Sequence, residues 1–302
     1  MDESRRGFLL GAGAYLCWGL FPLYWPLLQP AGAIEALSHR VVWSLLFVVV
    51  LVTAVHRWSL LRAVLSQPRK LLLVLVASVV IAFNWGGFIW GVNNGYVIEV
   101  SLGYFINPLV TILIGVVVLK ERLRPVQWAA LGLAVVAVVG LTVDYGRPPW
   151  LALLVAFSFG TYGLMKKKLD LGATEGLALE TMLLTPVALG YLVWLQLSGD
   201  GTFGSEGVPH ALLLVGTGLV TAIPLLMFGA AATRVSLTTI GLLQYIAPTL
   251  QFVLGLVVFG ETMTTTRWFG FALVWTALAI ITAEALVHRR RVVRHPAEAA
   301  TA

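Results

Sequence analysis

Residues 102–128 read LGYFINPLVTILIGVVVLKERLRPVQW, and 140 residues further on the frame returns as LLQYIAPTLQFVLGLVVFGETMTTTRW over residues 242–268. Leu102, Ile106, Pro108, Gly115, Val117, Val118, Glu121 and Trp128 meet identical partners in Leu242, Ile246, Pro248, Gly255, Val257, Val258, Glu261 and Trp268. Valine and leucine matches come easily in an apolar chain, whereas proline, glutamate and tryptophan in one frame do not, so the self-similarity reads as an internal repeat. A shift of one residue extends it upstream, with Cys17-Trp18-Gly19 against Ser158-Phe159-Gly160. The chain therefore divides into halves 1–145 and 146–288, followed by a basic tail 289–302.

The repeat lies in a strongly apolar chain of 302 residues, 59% hydrophobic and 11% charged, with a mean hydropathy of +0.91. An aqueous surface needs about 25% charged residues, so a soluble enzyme is excluded and the composition belongs to the membrane class. The net charge of +6 would raise nucleic acid as a partner for a soluble chain. In a membrane protein the same excess sets orientation instead, and no nucleic-acid partner is expected. Cys17 is the single cysteine; it cannot form an internal disulfide and reads as a packing residue.

A helix needs about 20 apolar residues to cross a bilayer. Ten such runs occur, at roughly 7–27, 33–55, 71–92, 97–119, 126–143, 148–165, 174–197, 209–233, 236–260 and 267–287. The expected fold is all-α and integral to the membrane, with ten transmembrane helices. With five spans per half, the second half enters from the opposite side, giving two inverted-topology five-helix repeats. Secondary transporters are often built this way, with substrate bound near the midplane where the repeats meet; a duplication retained for packing alone is the alternative. If the N-terminus is cytoplasmic, 17 of the 20 Lys and Arg residues fall on the inside and only Arg40, Arg147 and Arg267 outside, so both termini are expected in the cytoplasm. The tail cluster His288-Arg289-Arg290-Arg291 then lies against anionic lipid headgroups.

Ionisable and polar groups inside spans are costly and mark function by default. Glu35 and His39 share a face of the second span, four residues apart, with Arg40 beside them; Glu35 stands near the interface, where a surface role competes with function. Imidazole titrates near neutral pH, which suits proton coupling. Glu180 in the seventh span is the mate of His39 in the 141-residue frame and is a candidate proton carrier; a permanent structural pair with an arginine is the alternative. Asn84, Tyr104, Asn107, Gln244 and Tyr245 offer donors and acceptors for a substrate, while Trp18, Trp85 and Phe88 offer an apolar wall. Any one of these polar groups could instead bond helix to helix. Pro108 and Pro248 occupy equivalent places in the fourth and ninth spans, where a proline frees a carbonyl and bends the helix, so both are candidate hinges.

Walker-type, H-E-x-x-H and G-x-S-x-G motifs are absent from the sequence, and neither an enzyme activity nor a metal or other cofactor is expected. Five runs occur in order: Ser38-His39-Arg40-Val41-Val42-Trp43-Ser44; Asn84-Trp85 with Phe88-Ile89-Trp90-Gly91-Val92-Asn93-Asn94; Ser101-Leu102-Gly103-Tyr104-Phe105-Ile106-Asn107-Pro108-Leu109-Val110; Ala156-Phe157-Ser158-Phe159-Gly160-Thr161-Tyr162-Gly163; and Gln244-Tyr245-Ile246-Ala247-Pro248-Thr249-Leu250. Together they resemble the RarD permeases, of the EamA branch of the drug/metabolite transporter superfamily. The resemblance covers residues 5–290. It implies two inverted five-helix halves in the cytoplasmic membrane and export of small molecules without ATP, under a family name linked to chloramphenicol. Ala247 departs from the glycine expected before Pro248. The function expected is secondary transport of a small amphipathic metabolite or drug by alternating access, with protons as a candidate coupling ion and the oligomeric state open. A membrane scaffold or sensor that moves nothing is the alternative.

Overall fold

A computed structural model describes residues 2–120, 122–169 and 171–294. Among these, helices account for the regular structure: α1 (Glu3–Leu20), α2 (Ala33–Ala54), α3 (Trp58–Leu65), α4 (Pro68–Asn93), α5 (Val97–Leu119), α6 (Pro125–Tyr145), α7 (Trp150–Leu169), α8 (Ala173–Ser198), α9 (Gly207–Ala232), α10 (Leu237–Leu243), α11 (Ile246–Val257) and α12 (Thr265–Arg294). Short 3-10 turns at Phe21–Leu23 and Trp25–Leu28 extend α1. Eight helical segments among the described residues are long and apolar enough to cross a membrane. The other two long helices carry charged ends: α1 opens on Glu3, Arg5 and Arg6, and α7 closes on Lys166, Lys167 and Lys168. Helix α12 continues through the start of the basic tail to Arg294; residues 295–302 of that tail lie outside the described residues.

Local chemistry sets the helix ends. Pro68 and Pro125 sit in the first turns of α4 and α6, where a missing N–H costs nothing. The run 236–260 differs from the single helix its apolarity predicts, breaking at Gln244-Tyr245 between α10 and α11. Pro248 lacks the N–H that would bond the carbonyl of Gln244, which interrupts the hydrogen-bond ladder at the point where the chain breaks. Pro108, by contrast, lies inside a continuous α5.

The two halves interleave. Helices α4 and α5 pack on α7, α1 packs on α9 and α11, α2 lies along α8 and α9, and α6 runs beside α12. One core cluster joins Leu102, Phe105, Leu141, Phe252 and Phe271, and a second gathers Trp25, Leu28, Phe88, Ile89, Val155 and Leu214. At Gly103 the backbones of α5 and α7 approach so closely that a Cβ would stand 2.6 Å from the carbonyl oxygen of Ala152.

Carboxylates tie the helix ends. Glu99 is buried, accepts from the Leu151 N–H at 3.1 Å and pairs with Arg147 at 2.8 Å, joining the starts of α5 and α7. Glu261 accepts from the N–H groups of Val97 and Ile98, placing a carboxylate at the electropositive end of α5. Burial pushes the Glu261 carboxyl up, against the opposing pull of those two N–H groups.

Candidate functional site

The polar residues of the spans resolve into three groups. The first is built on Asn84 of α4, which is buried. Its Nδ2 donates to the Val155 carbonyl at 3.0 Å and to Ser158 Oγ at 3.1 Å, and its Oδ1 accepts from the Tyr104 hydroxyl at 3.1 Å. One amide thus joins α4, α5 and α7. Arg40 belongs to the same neighbourhood: its guanidinium lies 4.0 Å from the ring centroid of Trp85, the residue after Asn84, and the Phe21 and Trp25 rings beside it share a core cluster with Phe88 and Tyr104. Trp25 at 5.2 Å and Phe21 at 5.7 Å complete the apolar surround.

The second group lies at the start of α2. His39 Nδ1 accepts from Trp43 Nε1 at 3.2 Å, its ring stacks on Phe203 at 5.1 Å, and Nε2 is sealed without a partner. Phe203 comes from the loop between α8 and α9, and Trp43 also lies against it. Glu35 holds that loop by accepting from the Thr202 N–H at 2.8 Å and the Thr202 hydroxyl at 2.9 Å, and His210 Nε2 meets the same hydroxyl at 2.8 Å. The loop is thereby fastened over His39.

The third group is Glu180, where Lys166 Nζ and the Tyr162 hydroxyl each donate at 3.1 Å. The partner is a lysine on α7 rather than an arginine. Aromatic rings connect this group to the first: Phe88 meets Tyr104 at 5.9 Å, Tyr104 meets Phe159 at 6.0 Å, and Phe159 meets Tyr162 at 6.0 Å.

The remaining sequence candidates stand apart. Asn107 is buried beside Gly160 of α7, with Oδ1 unpartnered. Tyr245 packs toward the α5–α6–α12 core, and its hydroxyl meets Thr282 at 3.5 Å; Gln244 is half-buried beside it at the break. Trp18 packs on Tyr15 and Phe228 and against the core cluster that includes Phe88 and Val155. A groove of about 400 Å3 between α1 and α9, lined by Cys17, Phe21, Tyr24, Val220 and Pro224 among others, is apolar. The polar groups are packed between helices rather than displayed in that groove.

Several partners escaped the sequence reading, Thr202, Phe203 and His210 in the second group among them. Ser158 stood in the repeat match as a bare alignment position, and its polarity inside an apolar run was the available signal. Gln251 on α11 is buried, donates from Nε2 to the Trp18 carbonyl at 3.1 Å and leaves Oε1 unpartnered; it too was a lone amide in an apolar stretch.

Described residues that are helical throughout their regular structure, with eight membrane-length apolar segments and polar groups buried between them, define a polytopic membrane protein. The chain belongs to the EamA-like transporter family, whose model matches residues 5–143 and again 148–283. It is 58% identical to "Protein RarD" of Streptomyces exfoliatus, over 96% of this chain and 92% of that protein. It is 44% identical to "Protein RarD" of Escherichia coli, over 96% and 98%, and 31% identical to "Chloramphenicol-sensitive protein RarD" of Pseudomonas aeruginosa, over 93% and 94%. A crystal structure with 19% identity aligns with a TM-score of 0.57 over 92% of this chain and 98% of the other, a likeness of fold.

Proposed function

We propose that the protein is a secondary transporter that exports small amphipathic molecules by alternating access, built as ten spans in two inverted halves with both termini in the cytoplasm. The observation that carries this reading is the Asn84–Tyr104–Ser158 junction, a buried polar site shared between the two family-matched halves.

Reciprocal contacts support the inverted repeat. Gly103 faces Ala152, and their mates Leu243 and Gly11 face each other; Gly160 faces Val110, and their mates Gly19 and Leu250 do likewise. Asp144 at the end of α6 holds Arg267 at the start of α12, while its mate Glu284, near the end of α12, holds Arg124 before α6. Equivalent contacts made twice allow the halves to exchange conformations, the symmetry that alternating access uses.

The ion pairs also support the alternation of the spans, while the basic excess on one side sets which side is cytoplasmic. Arg234–Glu3, Arg57–Glu175 and Arg124–Glu284 join segments assigned to the inside, and Arg147–Glu99 and Arg267–Asp144 join segments assigned to the outside. On this reading Arg40, Asn84, Trp85 and Tyr104 line the substrate site, Phe203 closes it from outside, and the Glu180–Lys166–Tyr162 group couples movement to protons. Gln244 and Tyr245 mark the flexible break, with Pro248 as a hinge and Pro108 as its stiffer mate. Asn107, sealed against α7, would meet substrate only if α5 and α7 part.

Flux of chloramphenicol across proteoliposomes holding the purified protein tests the proposal, that compound being chosen because a relative's name carries it. Flux above protein-free vesicles, driven by a proton gradient and uncoupled from it by Glu180→Gln, is the expected result. Unchanged coupling in Glu180→Gln removes Glu180 from that role, and flux equal to protein-free vesicles favours the scaffold or sensor reading.

A further inference from the structure

We infer that Arg40 is the anchor for an organic carboxylate, so that the transported compounds include planar anions with an apolar body. The assignment rests on the reading of the Arg40–Asn84–Tyr104 neighbourhood as the substrate site. Arg40 is 4% exposed, and among the described residues no carboxylate, carbonyl or hydroxyl bonds any of its nitrogens; Nε is completely sealed. A guanidinium keeps its charge at any working pH, and a buried charge without a partner is among the most costly arrangements a fold can hold. The acids that could neutralise it are already engaged. Glu99 is paired with Arg147 and Glu180 with Lys166, and Glu35, held through one oxygen by Thr202, makes no ion pair with Arg40.

The surroundings choose among anions. Trp85 covers the guanidinium at 4.0 Å, with Trp25 and Phe21 close by, and this cation–π contact offsets part of the desolvation but supplies no acceptor. The terminal N–H groups of arginine match the two oxygens of a carboxylate as a fork. An aromatic surround favours an anion whose other end is flat and apolar over a small hydrated ion. Asn84 and the Tyr104 hydroxyl already satisfy each other at 3.1 Å, so the guanidinium is the unmet polar demand of the site.

Thermal unfolding of the purified protein in detergent, with benzoate and benzamide as probes, tests the inference. Saturating benzoate is expected to raise Tm by a few degrees while its uncharged isostere benzamide does not. Arg40→Gln should abolish the shift and Arg40→Lys should retain part of it, since a point charge keeps the attraction but loses the fork. Chloride or phosphate at equal ionic strength should give no comparable rise; if either matches benzoate, Arg40 holds an inorganic ion and the carboxylate assignment fails. Equal shifts with benzoate and benzamide, a shift that persists in Arg40→Gln, or no shift with benzoate at all would each overturn it as well. Chloramphenicol flux without benzoate binding would leave transport standing and remove this inference; benzoate binding without flux would keep Arg40 as a carboxylate anchor but overturn the claim that such anions are transported.

Discussion

At the scale of single residues, energetic weight falls on groups whose loss strands others. Removing the Asn84 side chain deprives Val155, Ser158 and Tyr104 of a partner at once. Interhelical hydrogen bonds within membranes contribute about 0.6 kcal/mol each on average, so Asn84→Ala should lower stability by about 2 kcal/mol, read as a fall in Tm. Asn84→Asp should not rescue it, because a carboxylate has no N–H to give Val155. His39 has the opposite character. Its ring is fixed by Trp43 and Phe203 with Nε2 unpartnered; on the proposed mechanism that atom would engage a substrate or a proton once Phe203 moved away.

At the scale of elements, Gly103 permits one of the closest helix pairings in the site. A Cβ there would lie 2.6 Å from a backbone oxygen of α7, an overlap that no rotamer relieves. Gly103→Leu should therefore push α5 from α7 and cost about 3 kcal/mol or more, at the upper end for overpacking, with a corresponding loss of folded protein on size exclusion. The loop that carries Thr202 and Phe203 is a separate element, held to α2 chiefly through Glu35. The break between α10 and α11 and the continuous α5 show how equivalent prolines diverge. Pro108 has a full helix on both sides to brace it, while Pro248 comes in the first turn after Gln244-Tyr245.

At the scale of the whole molecule, orientation can be checked directly. With Cys17→Ser removing the native thiol, Glu206→Cys on the loop between α8 and α9 should react with an impermeant maleimide in intact cells. Gln67→Cys, between α3 and α4, should react only once the membrane is opened. Labelling of Gln67→Cys in intact cells would reverse the proposed topology. The ion pairs Arg124–Glu284 and Arg267–Asp144 tie α6 to α12 at two separate levels.

The sequence alone determined the membrane class and most of the long helices and pointed to an internal repeat, because these follow from hydropathy, turn chemistry and identities at a fixed spacing, all local or additive properties of the chain; the short α3 and the break at Gln244-Tyr245 it did not show. It also singled out Arg40, Asn84 and Glu180, since a polar group in an apolar run is conspicuous wherever it faces. Their partners were decided only by the tertiary structure. Ser158 lies 74 residues from Asn84 and Thr202 lies 167 from Glu35, and which face of one helix meets which face of another depends on packing across the bundle. For the same reason Tyr245, a plausible site residue by its place in the repeat, turned to α12, and Glu261, noticed only as a match to Glu121, caps the start of α5. That Arg40 is left without a counterion was equally invisible in the sequence, which shows where charges are but not which of them have been neutralised.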